Sequence, residues 1–303
     1  MGPLLLYISI KHKKRNLIKN CIFISLFIIS NVITSQVQMN FNFDTPYGNN
    51  EAVGKYLEIN GAKIYYEEYG QGEPLLLIHG NRGSIRDMGN QIDHFKSKYR
   101  VIIADSRGHG KSELKIDSLT YVQIAKDWNI LTKRLKLDSI NIIGWSDGGI
   151  IGLLMGISKQ AKIKKIVAMG ANLRPDENAV YSWAQEDTKG YENEVDLMIQ
   201  KRDSSNNWRL IKQQIGLLLY QPKITHKDLF KIIAPVLIIA GDKDVIKEEH
   251  TIEIYQNIPN AQLCIMPGET HFTPASNPKM FNLIVERFLS EPFTRPDSNW
   301  TKW

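Results

Sequence analysis

Six short apolar runs recur along the chain, and they constrain the fold more than any other feature of the sequence. Each run holds four to six residues with almost no polar alternation, and they lie at 74–78, 101–104, 140–143, 166–169, 235–240 and 262–266. Strands of this kind suit a parallel sheet that is covered by helices on both faces. Helix-like segments lie between or after these runs, at 118–136, 246–257 and 278–289. We therefore predict an α/β fold with a mostly parallel central sheet.

A hairpin signal precedes this series of runs. The segment 55–70, KYLEINGAKIYYEEYG, alternates apolar and polar residues on either side of Asn60 and Gly61. An Asn-Gly pair in this setting is the strongest short signal for a two-residue hairpin turn. We expect the folded body to open with two antiparallel strands.

One long stretch without a strand signal interrupts the series. Residues 173–230, after the sixth strand, hold amphipathic patterns and several aromatic side chains, among them Trp183. An insertion of this length is usually functional or disordered, and its aromatic residues favour a folded helical lid. The other predicted segments are a core over 55–172 and 231–290, a flexible linker over 36–54 and a loose tail over 291–303.

The first 35 residues have the layout of a secretory signal. Five of the chain's 38 lysines and arginines lie there with none of its 32 acidic residues, and a 14-residue apolar segment then ends just before Ser35. We predict cleavage after Ser35 and export to the periplasm or the extracellular space. The alternative is an uncleaved membrane anchor, although 14 residues are short against the ~20 that cross a bilayer.

Net charge and cysteine content limit the classes of partner and cofactor that the sequence implies. The formal net charge of the chain is +6, but the part after residue 35 carries only +1. A nearly neutral body gives no support to a nucleic-acid partner. We expect no stable membrane span once the leader is cleaved. The chain has only Cys21 and Cys264 and no metal-binding spacing, so no metal or cofactor is implied. We expect a small-molecule substrate and leave the oligomeric state open.

A serine lies among glycines where an apolar run gives way to a helix-like segment. The run INII leads directly into GWSDGG, which contains Ser146. A Gly-x-Ser-x-Gly sequence between a strand and a helix is typical of a strained turn that exposes a nucleophilic serine. Such a serine needs a base to take its proton and an acid to orient that base.

Position along the chain selects the candidate partners of this serine. His271 follows the last strand, where loops converge at the carboxyl edge of the sheet. His79 and His109 follow earlier strands and do not fit the order serine, acid, histidine. The acid should follow the preceding strand, where GDKD offers both Asp242 and Asp244. The residues alone favour His271 and leave two acids open.

Five motifs stand in an order that resembles the α/β-hydrolase family: HGNRG, DSRGHGKS, GWSDGG, GDKD and GETH. The resemblance covers roughly residues 55–290 and implies an α/β-hydrolase fold with the insertion as a helical lid. It also implies that Ser146, Asp244 and His271 are the catalytic triad. The elbow is similar to that of the biphenyl-hydrolase-like proteins, including the valacyclovir hydrolases. In those enzymes the acid after the nucleophile is thought to receive the ammonium of an α-amino-acid ester.

The turn residues beside the serine are candidates for binding the substrate. We expect the backbone N–H groups of Asn81 and Asp147 to form the oxyanion hole. The Asp147 carboxylate has two interpretations, since it could pair with a substrate ammonium or merely favour the positive end of its helix, worth about 0.3–1 kcal/mol. Trp145 and Trp183 are further candidate substrate contacts, although the lid aromatics could instead form the core of the lid.

The predicted function is a serine hydrolase acting on a carboxylic ester, lactone or amide through an acyl-enzyme. C–C bond hydrolysis, acyl transfer and perhydrolysis are alternatives because they share the fold and the triad, and a non-enzymatic binder is another. Dehalogenases and epoxide hydrolases of this fold carry Asp as the nucleophile, so Ser146 argues against both. GHGKS mimics a phosphate loop, but Asp105 stands where that motif requires glycine. We interpret Asp105 and Arg107 as residues that fix their loop.

Overall fold

The computed structural model describes Met39, residues 41–299 and Thr301. The predicted secretory signal over residues 1–35 lies outside this part of the chain, so its cleavage and the export of the protein stay predictions. None of the helices in the described part is long and apolar enough to cross a membrane.

Within residues 41–299, eight strands form one mixed sheet, and the six from the third onward run parallel. The strands are β1 Lys55–Ile59, β2 Ala62–Tyr69, β3 Glu73–Ile78, β4 Tyr99–Ala104, β5 Ile140–Trp145, β6 Ile163–Met169, β7 Val236–Lys243 and β8 Ala261–Thr270. Their order across the sheet is β1-β2-β4-β3-β5-β6-β7-β8, with β2 antiparallel to both of its neighbours. The six parallel strands coincide with the six apolar runs, which confirms the predicted α/β architecture.

Helices cover both faces of this sheet. In the described residues they are α1 Gly89–Phe95, α2 Tyr121–Arg134, α3 Asp147–Ser158, α4 Ser182–Gln200, α5 Trp208–Tyr220, α6 His226–Leu229, α7 Glu248–Gln256, α8 Thr273–Ser276 and α9 Pro278–Ser290. Leu76 of β3 belongs to an apolar cluster with α2, α3 and α7, whereas Leu77 belongs to a second cluster with α1 and α9. Because both faces are buried, the strands carry apolar residues without alternation.

The first two strands form the predicted hairpin. Ile59 pairs with Ala62, so the turn consists of Asn60 and Gly61. Both turn residues have positive φ, 48° and 73°, as a turn that follows the twist of its strands requires. The Asn60 side-chain amide donates to Asp127 Oδ1 (2.7 Å), which ties the hairpin to α2.

The prediction of a flexible linker over 36–54 is wrong for its described part. Tyr47 is buried, with an exposed fraction of 2%. The Glu67 carboxylate on β2, also buried, accepts the backbone N–H groups of Gly48 and Asn50 at 3.0 and 3.1 Å. A composition rich in Asn and Gly indicates turns, and here a charged acceptor from the sheet holds those turns in place.

The predicted loose tail over 291–303 also contacts the domain. Gln262 on β8 donates its side-chain amide to the carbonyl oxygen of Thr294 (2.8 Å). The guanidinium of Arg295 lies 5.8 Å from the ring centre of Tyr255 on α7. The tail therefore contacts β8 and α7 at these positions, while its looseness stays a prediction.

The segment 173–230 contains α4, α5 and α6, as predicted for a helical insertion. Its two ends meet at Glu253 on α7. Arg174 donates to both oxygens of this carboxylate at 2.8 Å, and His226 Nε2 lies 2.6 Å from Oε1. The Arg174 guanidinium is the main reason that the pKa of Glu253 falls to about 2. The role of the segment as a lid stays a prediction.

A buried ion pair fixes the loop after β4, in agreement with the loop-fixing role inferred for Arg107. Arg107 is fully buried, and its Nε and Nη2 donate to the two carboxylate oxygens of Asp127 at 2.5 and 3.0 Å. Its remaining N–H groups donate to the carbonyl oxygens of Ile59 and Leu114, both at 2.8 Å. One side chain thereby joins the loop, the hairpin and α2. A pair buried in this way is stable only while both partners are present.

Arg107→Leu should lower the free energy of unfolding by about 3–5 kcal/mol, because the Asp127 carboxylate would remain buried without its partner. Urea unfolding followed by circular dichroism measures the change. The double variant Arg107→Leu/Asp127→Leu should recover part of the loss by removing the stranded charge. As a control, Lys55→Ala breaks an exposed ion pair with Glu68 and should cost less than about 1 kcal/mol. Equal losses for Arg107→Leu and Lys55→Ala would contradict this account.

Candidate active site

Ser146 lies between the end of β5 and the first residue of α3, in a conformation that a residue with a side chain rarely adopts. Its φ is 58° and its ψ is −119°. The positions around it must be glycine because a side chain there would collide with neighbouring backbone. A Cβ at Gly144 would collide with the carbonyl of Gly148, and a Cβ at Gly148 would collide with the carbonyl of Ile78. The strained turn that the sequence predicts is therefore present, with strand and helix in backbone contact.

Side chains from three loops form a continuous hydrogen-bond chain at the carboxyl edge of the sheet. His271 Nε2 lies 2.8 Å from Ser146 Oγ, and His271 Nδ1 lies 2.6 Å from Asp244 Oδ1. Asp244 is 3% exposed. The alternative acid, Asp242, instead accepts a backbone N–H from β8 at 2.9 Å. The structure thus brings together the serine, the histidine and the second acid of GDKD.

The surroundings of His271 act on its basicity and its orientation. Burial lowers the pKa of His271, but the Asp244 carboxylate and the more distant charge of Asp147 outweigh burial and raise the pKa above its ordinary value. Gly170, with φ of 60°, lies against the ring, since a Cβ there would be 2.7 Å from His271 Cε1 and Nδ1. No role was predicted for Gly170 from the sequence. Its one signal was a glycine directly after β6.

The structure places the two predicted tryptophan contacts differently. Trp145 is 6% exposed within the apolar cluster beside α1 and α9, and its Nε1 donates to the carbonyl oxygen of His271 (2.7 Å). This side chain lies in the core and holds the backbone of His271, and its contact with substrate stays a prediction. Trp183 lies on α4 and is 54% exposed. Its contact with substrate stays a prediction.

Asn81 and Asp147 lie on the two backbone segments that flank the serine. Gly80, the residue before Asn81, is in contact with Ser146, since a Cβ at Gly80 would be 3.2 Å from the serine Cβ. Asp147 is the first residue of α3, a position at which the backbone N–H has no acceptor inside the helix. An oxyanion hole needs such fixed N–H donors next to the nucleophile, directed at the position that the carbonyl oxygen of the substrate will occupy.

The Asp147 carboxylate is buried and is bound at both oxygens. Tyr121 Oη donates to Oδ1 (2.7 Å), and Asn81 Nδ2 donates to Oδ2 (2.9 Å). Burial raises the pKa of Asp147 to about 6, although the two hydrogen bonds and the charge of His271 oppose the shift. Sequence reasoning missed Tyr121, which lies 26 residues before Asp147 and outside every motif.

Two other histidines that follow strands have structural contacts. His79 Nε2 accepts the backbone N–H of Ser106 (2.9 Å), and His79 Nδ1 lies 2.8 Å from the carbonyl oxygen of Gly80. Burial lowers the pKa of His79 to about 4 and that of His109 to about 3. Both rings are neutral supports of the loops, whereas His271 reaches the serine.

The GHGKS segment does not form a phosphate site. The Asp105 carboxylate occupies the loop and accepts the backbone N–H groups of Ile85 and Lys111, both at 2.8 Å. A Cβ at Gly110 would collide with the same carboxylate. The chain therefore supplies its own anion to this loop. Among residues 41–299, no group of three or more His, Cys, Asp or Glu side chains could hold a metal ion.

Comparisons with known proteins agree with this fold. Residues 73–223 match the family described as the alpha/beta hydrolase fold. The human serine hydrolase BPHL is 28% identical over 245 residues, which cover 76% of this chain and 84% of the relative. The 2-hydroxy-6-oxo-6-(2'-aminophenyl)hexa-2,4-dienoic acid hydrolase of Metapseudomonas resinovorans is 26% identical over 271 residues, or 78% and 91% of the two chains. The bromoperoxidase of Bacillus anthracis has a TM-score of 0.67 at 26% identity, over 78% of this chain and 100% of that chain.

The family match begins at β3 and extends through the elbow into the insertion. The sheet order, the strained serine turn and the similarity to hydrolases over three quarters of the chain lead to the same assignment. The chain belongs to the α/β-hydrolase superfamily.

Proposed function

We propose that this protein is a serine hydrolase that cleaves a carboxylic ester of a small molecule through an acyl-enzyme intermediate. The observation that carries the proposal is the series of hydrogen bonds from Asp244 through His271 to Ser146. The distances are 2.6 Å between Asp244 Oδ1 and His271 Nδ1 and 2.8 Å between His271 Nε2 and Ser146 Oγ. A serine hydroxyl becomes a nucleophile when an adjacent base, oriented by an acid, can take its proton. The similarity to a relative named serine hydrolase supports the same chemistry.

In the first half-reaction, Ser146 Oγ attacks the ester carbonyl carbon while His271 Nε2 takes the hydroxyl proton. The carbonyl π electrons move to oxygen, and the backbone N–H groups of Asn81 and Asp147 bind the oxyanion. The bond to the alcohol oxygen then breaks, and the imidazolium gives that oxygen its proton, while Asp244 holds the ring without taking the proton. Water repeats the attack on the acyl-enzyme, and the carboxylic acid leaves as the serine regains its proton.

We further propose that the acyl group carries an α-ammonium, so that the substrates are α-amino-acid esters. The Asp147 carboxylate follows the nucleophile directly and has accepted one hydrogen bond per oxygen, which leaves each oxygen a lone pair. With a pKa of about 6, it is mostly ionised at neutral pH. A substrate cation would offset the cost of burying that charge.

Ser146→Ala should reduce kcat for p-nitrophenyl acetate by about 10⁵- to 10⁶-fold, because loss of the nucleophile disables the whole triad. Initial rates of nitrophenolate release measure this. Ser290→Ala, at an exposed position of α9, is the control and should keep full activity. A fluorophosphonate should label the unmodified protein and leave the Ser146 variant unlabelled. Undiminished hydrolysis by Ser146→Ala would reject the proposed function.

The rate should depend on pH through His271, which acts as a base only when neutral. Because Asp244 and Asp147 raise the pKa of His271, kcat/KM should rise with pH through a midpoint above about 6.5, the ordinary value for histidine. Asp147→Asn removes one negative charge, so the midpoint should move to lower pH. Profiles of kcat/KM against pH for the two proteins measure the shift. A variant midpoint at higher pH would contradict the assigned electrostatics.

A free amine on the acyl group should favour turnover. The p-nitrophenyl ester of an amino acid should have a kcat/KM at least about tenfold above that of its N-acetylated form, which corresponds to ~1.4 kcal/mol of pairing with Asp147. Asp147→Asn should bring this ratio towards one. Equal kcat/KM for the two esters in the unmodified protein would retire the amine proposal and leave the hydrolase proposal intact.

A further inference from the structure

The side-chain amide of Asn81 links the loop after β3, the elbow and the insertion. Its Nδ2 donates to Asp147 Oδ2 and to the backbone carbonyl oxygen of Gln214 on α5, both at 2.9 Å. Both partner atoms are oxygens that can only accept hydrogen bonds. Flipping the amide would therefore place Asn81 Oδ1 against these two oxygens in place of the donor Nδ2. In the fixed orientation, Asn81 Oδ1 is buried with no hydrogen-bond partner among the described residues. Such an acceptor costs stability, which suggests that the two donated bonds serve a function.

The residues joined by this bond are the two whose backbone N–H groups form the proposed oxyanion hole. We propose that the Asn81 side chain is a positioning group that sets the spacing of these two N–H donors; the inference rests on the proposed hydrolase function. An oxyanion hole stabilises the transition state because its donors are fixed before charge develops. A direct bond between the two side chains limits the movement of one donor relative to the other.

The acceptor end of this bridge is buried and held by a second hydrogen bond, and the donor end is a short turn. Tyr121, with 1% exposure, holds the other oxygen of Asp147. On the donor side, the N–H of Gly83 closes a turn on the carbonyl oxygen of Gly80 (3.2 Å), and Arg82 has a left-handed φ of 53°. The bond from Asn81 therefore fastens the turn to a buried carboxylate beside the serine.

The insertion, residues 173–230, forms further hydrogen bonds to the residues and loops of this network. Besides the bond from Asn81 to the Gln214 carbonyl, Gln214 Nε2 donates to the carbonyl oxygen of Gly108 (2.7 Å). Gln221, directly after α5, accepts the backbone N–H of Tyr121 through its Oε1 (3.3 Å). Both residues that bind the Asp147 carboxylate are thus bonded to the insertion. The placement of the oxyanion donors is coupled in this way to the docking of α5.

Asn81→Ala keeps the backbone N–H and removes the bridge. For p-nitrophenyl acetate, which has no amine, kcat should fall about 10- to 100-fold with little change in KM, since loss of a whole oxyanion donor costs about 10²- to 10³-fold. A trifluoromethyl ketone, which forms a charged tetrahedral adduct with serine, should bind more weakly by the same factor. Asn81→Leu, nearly equal in size and without a donor, should lose at least as much and is the test if Asn81→Ala does not fold.

Asp147→Ala breaks the bridge from its other end. If the two side chains act as one unit, the double variant Asn81→Ala/Asp147→Ala should be no slower than the slower single variant. The matched control is Asn282→Ala, which removes a buried asparagine bonded to Gln91 and to the Asn90 carbonyl between α1 and α9. This control should lower the melting temperature and leave kcat unchanged.

Two results would overturn the positioning role: a kcat for Asn81→Ala equal to that of Asn282→Ala, or losses that multiply in the double variant. The proposed function fails by a different result, hydrolysis by Ser146→Ala. If activity requires Ser146 but does not change when the Asn81 side chain is removed, only the positioning role of Asn81 is rejected, and the proposed hydrolase function stands.

Discussion

The site depends on the close approach of β5, α3 and β3 at Ser146. A Cβ at Gly144 or Gly148 would collide with a carbonyl of α3 or β3, so three backbone segments touch at this turn. That contact places the first N–H of α3 and the turn after β3 beside one hydroxyl. The unfavourable φ of Ser146 persists because the surrounding sheet and its two apolar clusters hold the segments on either side.

Three buried carboxylates lie around the site, Asp105 in the loop after β4, Asp127 on α2 and Asp147 at the start of α3, and they differ in whether a charged donor binds them. The Arg107 guanidinium binds Asp127, backbone N–H groups bind Asp105, and a hydroxyl and an amide bind Asp147. Because only neutral donors hold Asp105 and Asp147, burial raises the pKa of each to about 6. The charge beside the nucleophile is therefore poorly compensated in the free protein. It favours positive charge nearby, whether on His271 or on a substrate.

Much of this arrangement could be predicted because parallel strands end at one edge of a sheet. Ser146 and His271 are 125 residues apart, yet each follows a recognisable apolar run. The parts that escaped prediction are set by side-chain contacts that leave no pattern in the sequence. Tyr121 reaches Asp147 from outside every motif, and Gly170 is required because its φ is positive and a ring lies against it.

The insertion leaves the core and returns to it at one carboxylate, where Arg174 and His226 both meet Glu253. The strands on either side of it, β6 and β7, pair directly with each other. A segment whose two ends are fixed at one point can change in length and sequence without moving the strands that it interrupts. Changes in the insertion can therefore accumulate without disturbing the order of the sheet, except on α5, where Gln214 is bonded to Asn81 and Gly108 in the loops beside Ser146.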